Sequence, residues 1–250
     1  MARRKRDLYS TIEYIGPRPQ KPKRSSNFGG WFIVVIALGI AAWFGRPLMP
    51  LLKAAMVPAS NEQASLQILE LNQSSAPSDQ LAAAALAYAT QDVNYQTSYQ
   101  TIDYPMGDVA ASNGGAADLV VRCLRKQGID LQKEIHEDMV RDFRRYPQLW
   151  SATAPDANID HRRVPNLHAF LERHATSLTP QRVPSHFKPG DLVVWSLVNG
   201  ESHIGIAVPG PAGSLKDVWV VHHLGGKPKW ENVLLDYPII GHYRFPNSSK

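Results

Sequence analysis

Cysteine is nearly absent from this chain: Cys123 is the one residue of its type among 250. That excludes an intrachain disulfide and any multi-cysteine metal knuckle. It does not exclude export, because many exported bacterial domains carry no disulfides. Metal-binding signatures of the His-Glu-x-x-His or His-x-His type are missing too. With 17 Gly and 19 Pro the chain is neither collagen-like nor low in complexity, and nothing repeats at a fixed period. Its length suits one average domain plus a tail and is short for two full domains.

The folded part also lacks excess charge of one sign. The net charge is +5. Residues 1–28 contain eight Lys and Arg against Asp7 and Glu13, so residues 29–250 sum to −1. The basicity belongs to a tail, which argues against a nucleic-acid-binding domain.

There is a single long apolar run, residues 28–45 (FGGWFIVVIALGIAAWFG), 18 residues without a charge. A spanning helix needs about 17–25 such residues. Trp31, Trp43 and Phe44 sit near its ends, where aromatic rings favour the interface. A cleaved signal peptide fits less well, because the apolar core is long and Arg46, Pro47 and Pro50 follow it instead of a small-x-small site. A buried core helix would show a polar face, and Val34 to Ala42 shows none. The expectation is an uncleaved signal anchor at 28–52, with residues 1–27 as a basic cytoplasmic tail and the remainder periplasmic. That arrangement would make it a single-pass protein of a bacterial inner membrane. The Pro-rich basic stretch Gly16 to Lys23 is read as a solvated topogenic tail, or as a site for anionic lipid or a cytoplasmic partner.

Residues 53–77 are expected to form a polar linker with a short helix near Gln63–Leu71, and 78–250 the folded domain. Ser78 is the expected N-cap of a helix over Asp79–Thr90. Further helices are expected at Ala116–Gln127, with Gly128 after its end, at Leu131–Arg145 with Ile135, Met139, Val140 and Phe143 inward, and at Asn166–His174 after Pro165. Strands are expected at Asp191–Leu197, His203–Val208, Val218–His223 and Ile239–Phe245, the first two joined by an Asn199-Gly200 hairpin. Helices first and an antiparallel sheet second make the fold class α+β.

Several of the nine histidines fall where chemistry is possible. His203 opens a strand and His222 ends one, although two ordinary strand-edge histidines fit the spacing equally well. Asp118 suits the first turn of a helix by dipole compensation alone. Asp160, His161, Arg162 and Arg163 fit a solvated, ion-paired loop as readily as a site. Tyr95, Tyr99 and Tyr104 are read as core residues or as a sugar-binding groove. Zinc on His203, His222 and His223, with Asp160 or His161 completing the set, is disfavoured because adjacent strand residues point to opposite faces.

Three groups of residues are familiar together. The first is Tyr104-Pro105-Met106-Gly107-Asp108-Val109 with Gly114-Gly115-Ala116-Ala117-Asp118. The second is Asp130-Leu131-Gln132, His136-Glu137-Asp138-Met139 and Ile159-Asp160-His161-Arg162-Arg163-Val164-Pro165-Asn166-Leu167. The third is Pro189-Gly190-Asp191-Leu192-Val193-Val194-Trp195, His203-Ile204-Gly205-Ile206 and Val221-His222. The chain resembles the DUF1287 family, a branch of the NlpC/P60 (papain-like) superfamily of cell-wall cysteine peptidases and amidases, over roughly residues 80–245.

The resemblance implies N-terminal helices packed on an antiparallel sheet and a thiolate at the tip of the first core helix. It implies a base at His203 and an orienting residue at His222. It needs no cofactor or metal. Where the family pattern has Gly-x-Cys-Thr-Asp, this chain has Ala116 at the nucleophile position. Cys123, seven residues on, is expected to be an inert core thiol. Tyr104, Asp118, Asp160, His161 and Arg162 are the implied binding residues. The implied function is a catalytically impaired envelope domain that binds peptidoglycan stem peptide or scaffolds an envelope protein. Two other readings stay open: an active amidase or endopeptidase whose cysteine was replaced by design, and a structural membrane subunit of a secretion or division machine.

Overall fold

The computed structural model describes residues 60–213 and 217–245. The anchor expected at 28–52 and the tail before it lie outside these residues. Among the described residues no helix is long and apolar enough to cross a membrane.

Five α-helices precede most of the sheet: α1 (Asn61–Leu71), α2 (Pro77–Ala89), α3 (Ala116–Arg125), α4 (Leu131–Arg141) and α5 (Val164–His174). A two-residue parallel pair, β1 (Asn94–Tyr95) with β2 (Asn113–Gly114), sits just before α3. The main sheet contains β3 (Thr176–Ser177), β4 (Leu192–Ser196), β5 (Ser202–Pro209), β6 (Val218–His222), β7 (Lys229–Glu231) and β8 (Ile239–Arg244). All its pairings are antiparallel, in the order β3-β8-β4-β5-β6-β7. The expected α+β class is the class observed.

Period-two burial builds the sheet's two faces. Leu192, Val194, Ile204, Ile206 and Val208 join the helices in the main core, with Leu119, Val120, Cys123 and Leu124 of α3 among their neighbours in the cluster. Val193, Trp195, Ala207, Val218 and Val220 face the other way, against Phe187 and Leu234. The central strands are therefore apolar on both faces, which is why they read as unbroken runs.

Several boundaries differ from expectation. The short helix expected near Gln63–Leu71 is present and begins at Asn61 with a Ser60–Gln63 capping box, but it is part of the fold and not of a linker, because Ala64 and Leu71 are buried in the main core. Its buried apolar face is narrow and its composition polar, so the docking was not anticipated. Helix α2 starts at Pro77, capped by Ala76, because proline's fixed φ preorganises the first turn ahead of Ser78. Helix α4 stops at Arg141, and Phe143–Arg145 is a 3-10 turn. Val140 is 64% exposed, since it follows the buried Met139 by 100° around the helix. Strands β1, β2, β3 and β7 were not anticipated; two or three residues carry no periodicity to detect.

A buried polar hub ties the sheet to the start of the helical layer. Asp191 is fully buried and accepts from Arg244 Nε at 2.7 Å, Arg244 Nη2 at 2.8 Å and the Lys188 amide at 2.9 Å, and it pairs with His242 Nε2 at 2.8 Å. Burial alone would raise its carboxyl; the His242 and Arg244 bonds outweigh that and hold it below the usual range. Next to it Gly190 has φ 83° and lies so close to Ser78 O that an added Cβ would stand 2.2 Å away. Only glycine meets both demands.

Replacing Asp191 with Ala should lower the unfolding free energy by about 2–4 kcal/mol at pH 7, a range discounted because Arg244 is partly solvated. A depressed carboxyl stabilises above its unfolded pKa and loses that contribution as pH falls through the folded value. The stability gap between wild type and Asp191→Ala in urea titrations should therefore be largest at neutral pH and narrow as the solution is made more acid than the usual carboxylate range.

Candidate functional site

The tip of α3 is crowded by design. β2 delivers Gly114 and Gly115 to the helix start. An added Cβ on Gly115 would stand 2.7 Å from Thr97 Cγ2, and one on Gly114 would stand 3.0 Å from Tyr88 Oη. Asp118 Oδ2 accepts from the Gly115 amide at 2.8 Å, half of a capping arrangement. Ala116 and Ala117, the first two helical residues, are both buried and bring only methyl groups.

Asp118 does more than cap. Arg162, at the end of the 3-10 turn Asp160–Arg162, donates to it from Nε at 2.8 Å and Nη2 at 3.2 Å. The same guanidinium donates to Ser98 O at 2.9 Å and Gln96 O at 3.2 Å. Both side chains of the pair are buried. The pair thus fastens the α3 tip, the 96–98 segment and the 160–162 turn to one another.

A second cluster is a row of side chains across three strands, on the sheet face that carries Trp195 rather than the face packed on α3. His203 Nε2 lies 3.0 Å from His222 Nδ1, and His222 Nε2 lies 3.3 Å from Glu231 Oε2. Glu231 accepts, so His222 donates from Nε2 and accepts at Nδ1, and His203 must then donate from Nε2. That leaves His203 Nδ1 as the bare, proton-accepting nitrogen. The His203 ring also stacks on Trp195 at 5.9 Å between centroids. Burial first, then His222 and His223, push the His203 imidazole down to about 3. Burial likewise lowers His222, against the opposing pull of Glu231. Both rings are held neutral.

His223, the next residue, turns the other way, as alternation requires. Its ring makes edge contacts with Tyr95 at 5.4 Å and Tyr88 at 6.3 Å, beside the α3 tip. Among the described residues no group of three or more His, Cys, Asp or Glu is arranged to hold a metal ion. Cys123 is buried within α3, and burial pushes its thiol up to about 12.

A groove of about 980 Å³ opens beside this region. Its walls include Tyr95, Tyr99, Trp150, Arg163, Glu172 and Glu201. Arg162 and Thr97, both in contact with the α3 tip, line it as well. Tyr95, Tyr99 and Tyr104 are all exposed, Tyr99 at 56%, so they are not the core residues their spacing suggested, and Trp150 is exposed beside Tyr99 in the groove.

The sequence candidates divide accordingly. His203 meets His222, and Asp118 meets Arg162. Asp160 turns its carboxylate to the Asp156 amide, and burial raises it. His161 is buried with Nδ1 unpartnered, and burial pushes its imidazole down to about 4. Tyr104 packs on His136 at 5.1 Å. Of the candidate site residues Arg162 lines the groove, whereas Ala116, Asp118, Asp160, His161, Tyr104, His203 and His222 do not. Sequence reasoning missed Glu231, Trp150 and Glu201. Glu231 sits on a three-residue strand, and the other two lie in loops, where no periodicity marks them.

A family model described as a domain of unknown function, DUF1287, matches residues 82–245, spanning this tip, the histidine row and the groove. The chain belongs to the DUF1287 family. It is 43% identical over 151 residues to the uncharacterized protein YijF of Escherichia coli (strain K12), an alignment covering 60% of this chain and 73% of YijF. The matched DUF1287 region begins inside α2, so α1 and the first residues of α2 precede it.

Two results should follow. Arg162→Ala should cost about 3–5 kcal/mol of stability, because it strands a buried carboxylate. It should also speed amide hydrogen exchange at the 96–98 segment. Separately, His203 and His161 are neutral when folded but take up protons when unfolded. Stability should therefore fall as pH drops from about 6.5 toward 4, by up to about 1.4 kcal/mol per pH unit for each. Denaturant melts at pH 7 and pH 5 measure this, and a flat profile would contradict the buried, neutral assignment.

Proposed function

We propose that this DUF1287 domain is an NlpC/P60-like, papain-like module of the bacterial cell envelope that binds a peptidoglycan stem peptide without cleaving it. On this reading residues 28–52 anchor it in the inner membrane and the domain faces the periplasm. The observation that carries the reading is the chemistry of the α3 tip. A helix N-terminus favours a thiolate, and the papain-like resemblance puts one at position 116. The chain has a methyl group there, with a second methyl at Ala117.

The histidine row supports the same reading. Glu231 orients His222, His222 orients His203, and His203 presents a bare nitrogen. That is the arrangement of a general base and its positioning groups. Without a nucleophile the base has no thiol to deprotonate. Cys123 does not replace it, since it is buried in the helix body with its thiol pushed up. What remains of such a site is its capacity to bind and polarise. The groove, with three exposed aromatic rings and both signs of charge along its walls, supplies the binding surface.

The test restores the missing atom. Detergent-solubilised full-length wild type should release no product from muropeptides in an end-point chromatographic assay. Ala116→Cys should gain cleavage that disappears when His203→Ala is added. Cleavage by the wild-type chain, abolished by His203→Ala, would overturn the proposal.

A further inference from the structure

A second cavity, of about 780 Å³, shares no residue with the groove. It lies along α2 and α3, and Ile68 and Asn72 of α1 form part of its wall. The matched family region begins at residue 82, so the wall from α1 is added from outside that region. The volume is in the range of small-molecule sites.

The apolar part of the lining is built from short side chains. Ile68, Ala83, Ala84, Ala87 and Cys123 supply it. Interiors are normally filled to close packing, and methyl groups along α2 leave the space between the helices open. Gln80 and Gln91 both line the cavity, and α2 rises about 16 Å between them. That is length enough for a short alkyl body.

The charges gather on the α3 side. Arg122 holds Asp108 through Nε and Nη2, both at 2.9 Å. Arg125 reaches Asp108 at 3.4 Å and Asp130 at 3.5 Å. Two guanidinium groups thus face two carboxylates. Lys126 follows directly, lines the cavity, and has no ion pair among the described residues. The C-terminus of α3 places about half a negative charge nearby, which the full charge of Lys126 exceeds. A second donor is unmet beside it. Arg125 Nε is buried and has no hydrogen-bond partner among the described residues. A buried donor is costly to leave without an acceptor.

We infer that this cavity binds a small amphiphilic monoanion, with its apolar body along Ala83, Ala84 and Ala87 and its anionic end at Arg125 Nε and Lys126. An organic cation is repelled by Lys126, and a neutral body brings no charge to meet the ammonium. A free short-chain carboxylate and the phosphodiester of a lipid share this chemistry. The site is separate from the groove and does not rest on the wall-peptide reading.

Calorimetry on the full-length protein held in amphipol, with the heat of empty amphipol subtracted, tests it. The probes are octanoate, octanamide, octylammonium, acetate and dihexanoylphosphatidylglycerol. Octanoate should bind about 10–100-fold more tightly than octanamide or acetate, and octylammonium should not bind. Lys126 is exposed, so Lys126→Met should fold normally and weaken octanoate about 10-fold, while Lys126→Arg should keep the affinity. Ala84→Trp fills the space along α2 and should abolish octanoate binding. Equal affinity for octanoate and octanamide would overturn the inference, as would octanoate binding that survives either Lys126→Met or Ala84→Trp unchanged. Absence of binding by every probe would overturn it too. Preference for dihexanoylphosphatidylglycerol over octanoate, lost in Lys126→Met, would uphold the anion site and assign it to a lipid head. No arm uses a muropeptide, so failure here leaves the wall-peptide reading standing.

Discussion

The buried pair between Asp118 and Arg162 is the constraint on which the site depends. Two charges taken out of water must satisfy each other and their remaining hydrogen-bonding capacity, or the fold loses several kcal/mol. Here the demand is met in full. One carboxylate oxygen caps the helix through the Gly115 amide, and the guanidinium reaches two carbonyls of the 96–98 segment. The cap is local, but each bond of the guanidinium crosses between segments distant in sequence. The helix tip, one groove wall and the 160–162 turn therefore move together or not at all. Such a device positions whatever stands at residues 116 and 117, and here two methyl groups stand there.

Binding and bond-making are separable in this architecture. The histidine row on β5, β6 and β7 is held by strand register and by its own hydrogen bonds, independent of side chains at the α3 tip. The groove wall is tied to the α3 tip by the Asp118–Arg162 pair. On the proposed reading, loss of a nucleophile leaves both intact. His203 and His222 also serve the fold, filling space against Trp195 and the Gly205 backbone.

How much of this was legible in the sequence follows from period and from partnership. The long elements were visible because an apolar face recurs over three or more turns, as in α3, or because both faces of a strand are buried, as in β4 and β5. The His203–His222 contact was anticipated as a pair through family resemblance; spacing alone left it undecided. The two-sidedness of His222 and His223 came directly from alternation. Other features had no local signature. Helix α1 was expected near Gln63–Leu71, but its docking on the core through Ala64 and Leu71 was not, because those two contacts lie in a polar segment. Asp118 and Arg162 are 44 residues apart, so their pairing exists only once the chain has folded. Glu231 and Trp150 lie where strands and loops are too short for pattern to speak. Tyr99 looked like core because aromatic residues usually are, and it proved to be groove surface.

The central claim is that the groove holds a wall peptide whose amide bonds survive. A crystal structure of the unaltered protein grown with an intact stem peptide tests it most directly. The account predicts the peptide lying along Tyr95, Tyr99 and Trp150 with every amide intact and no covalent link to the chain. Cleaved product in the groove, or a peptide seated elsewhere on the domain, would contradict it.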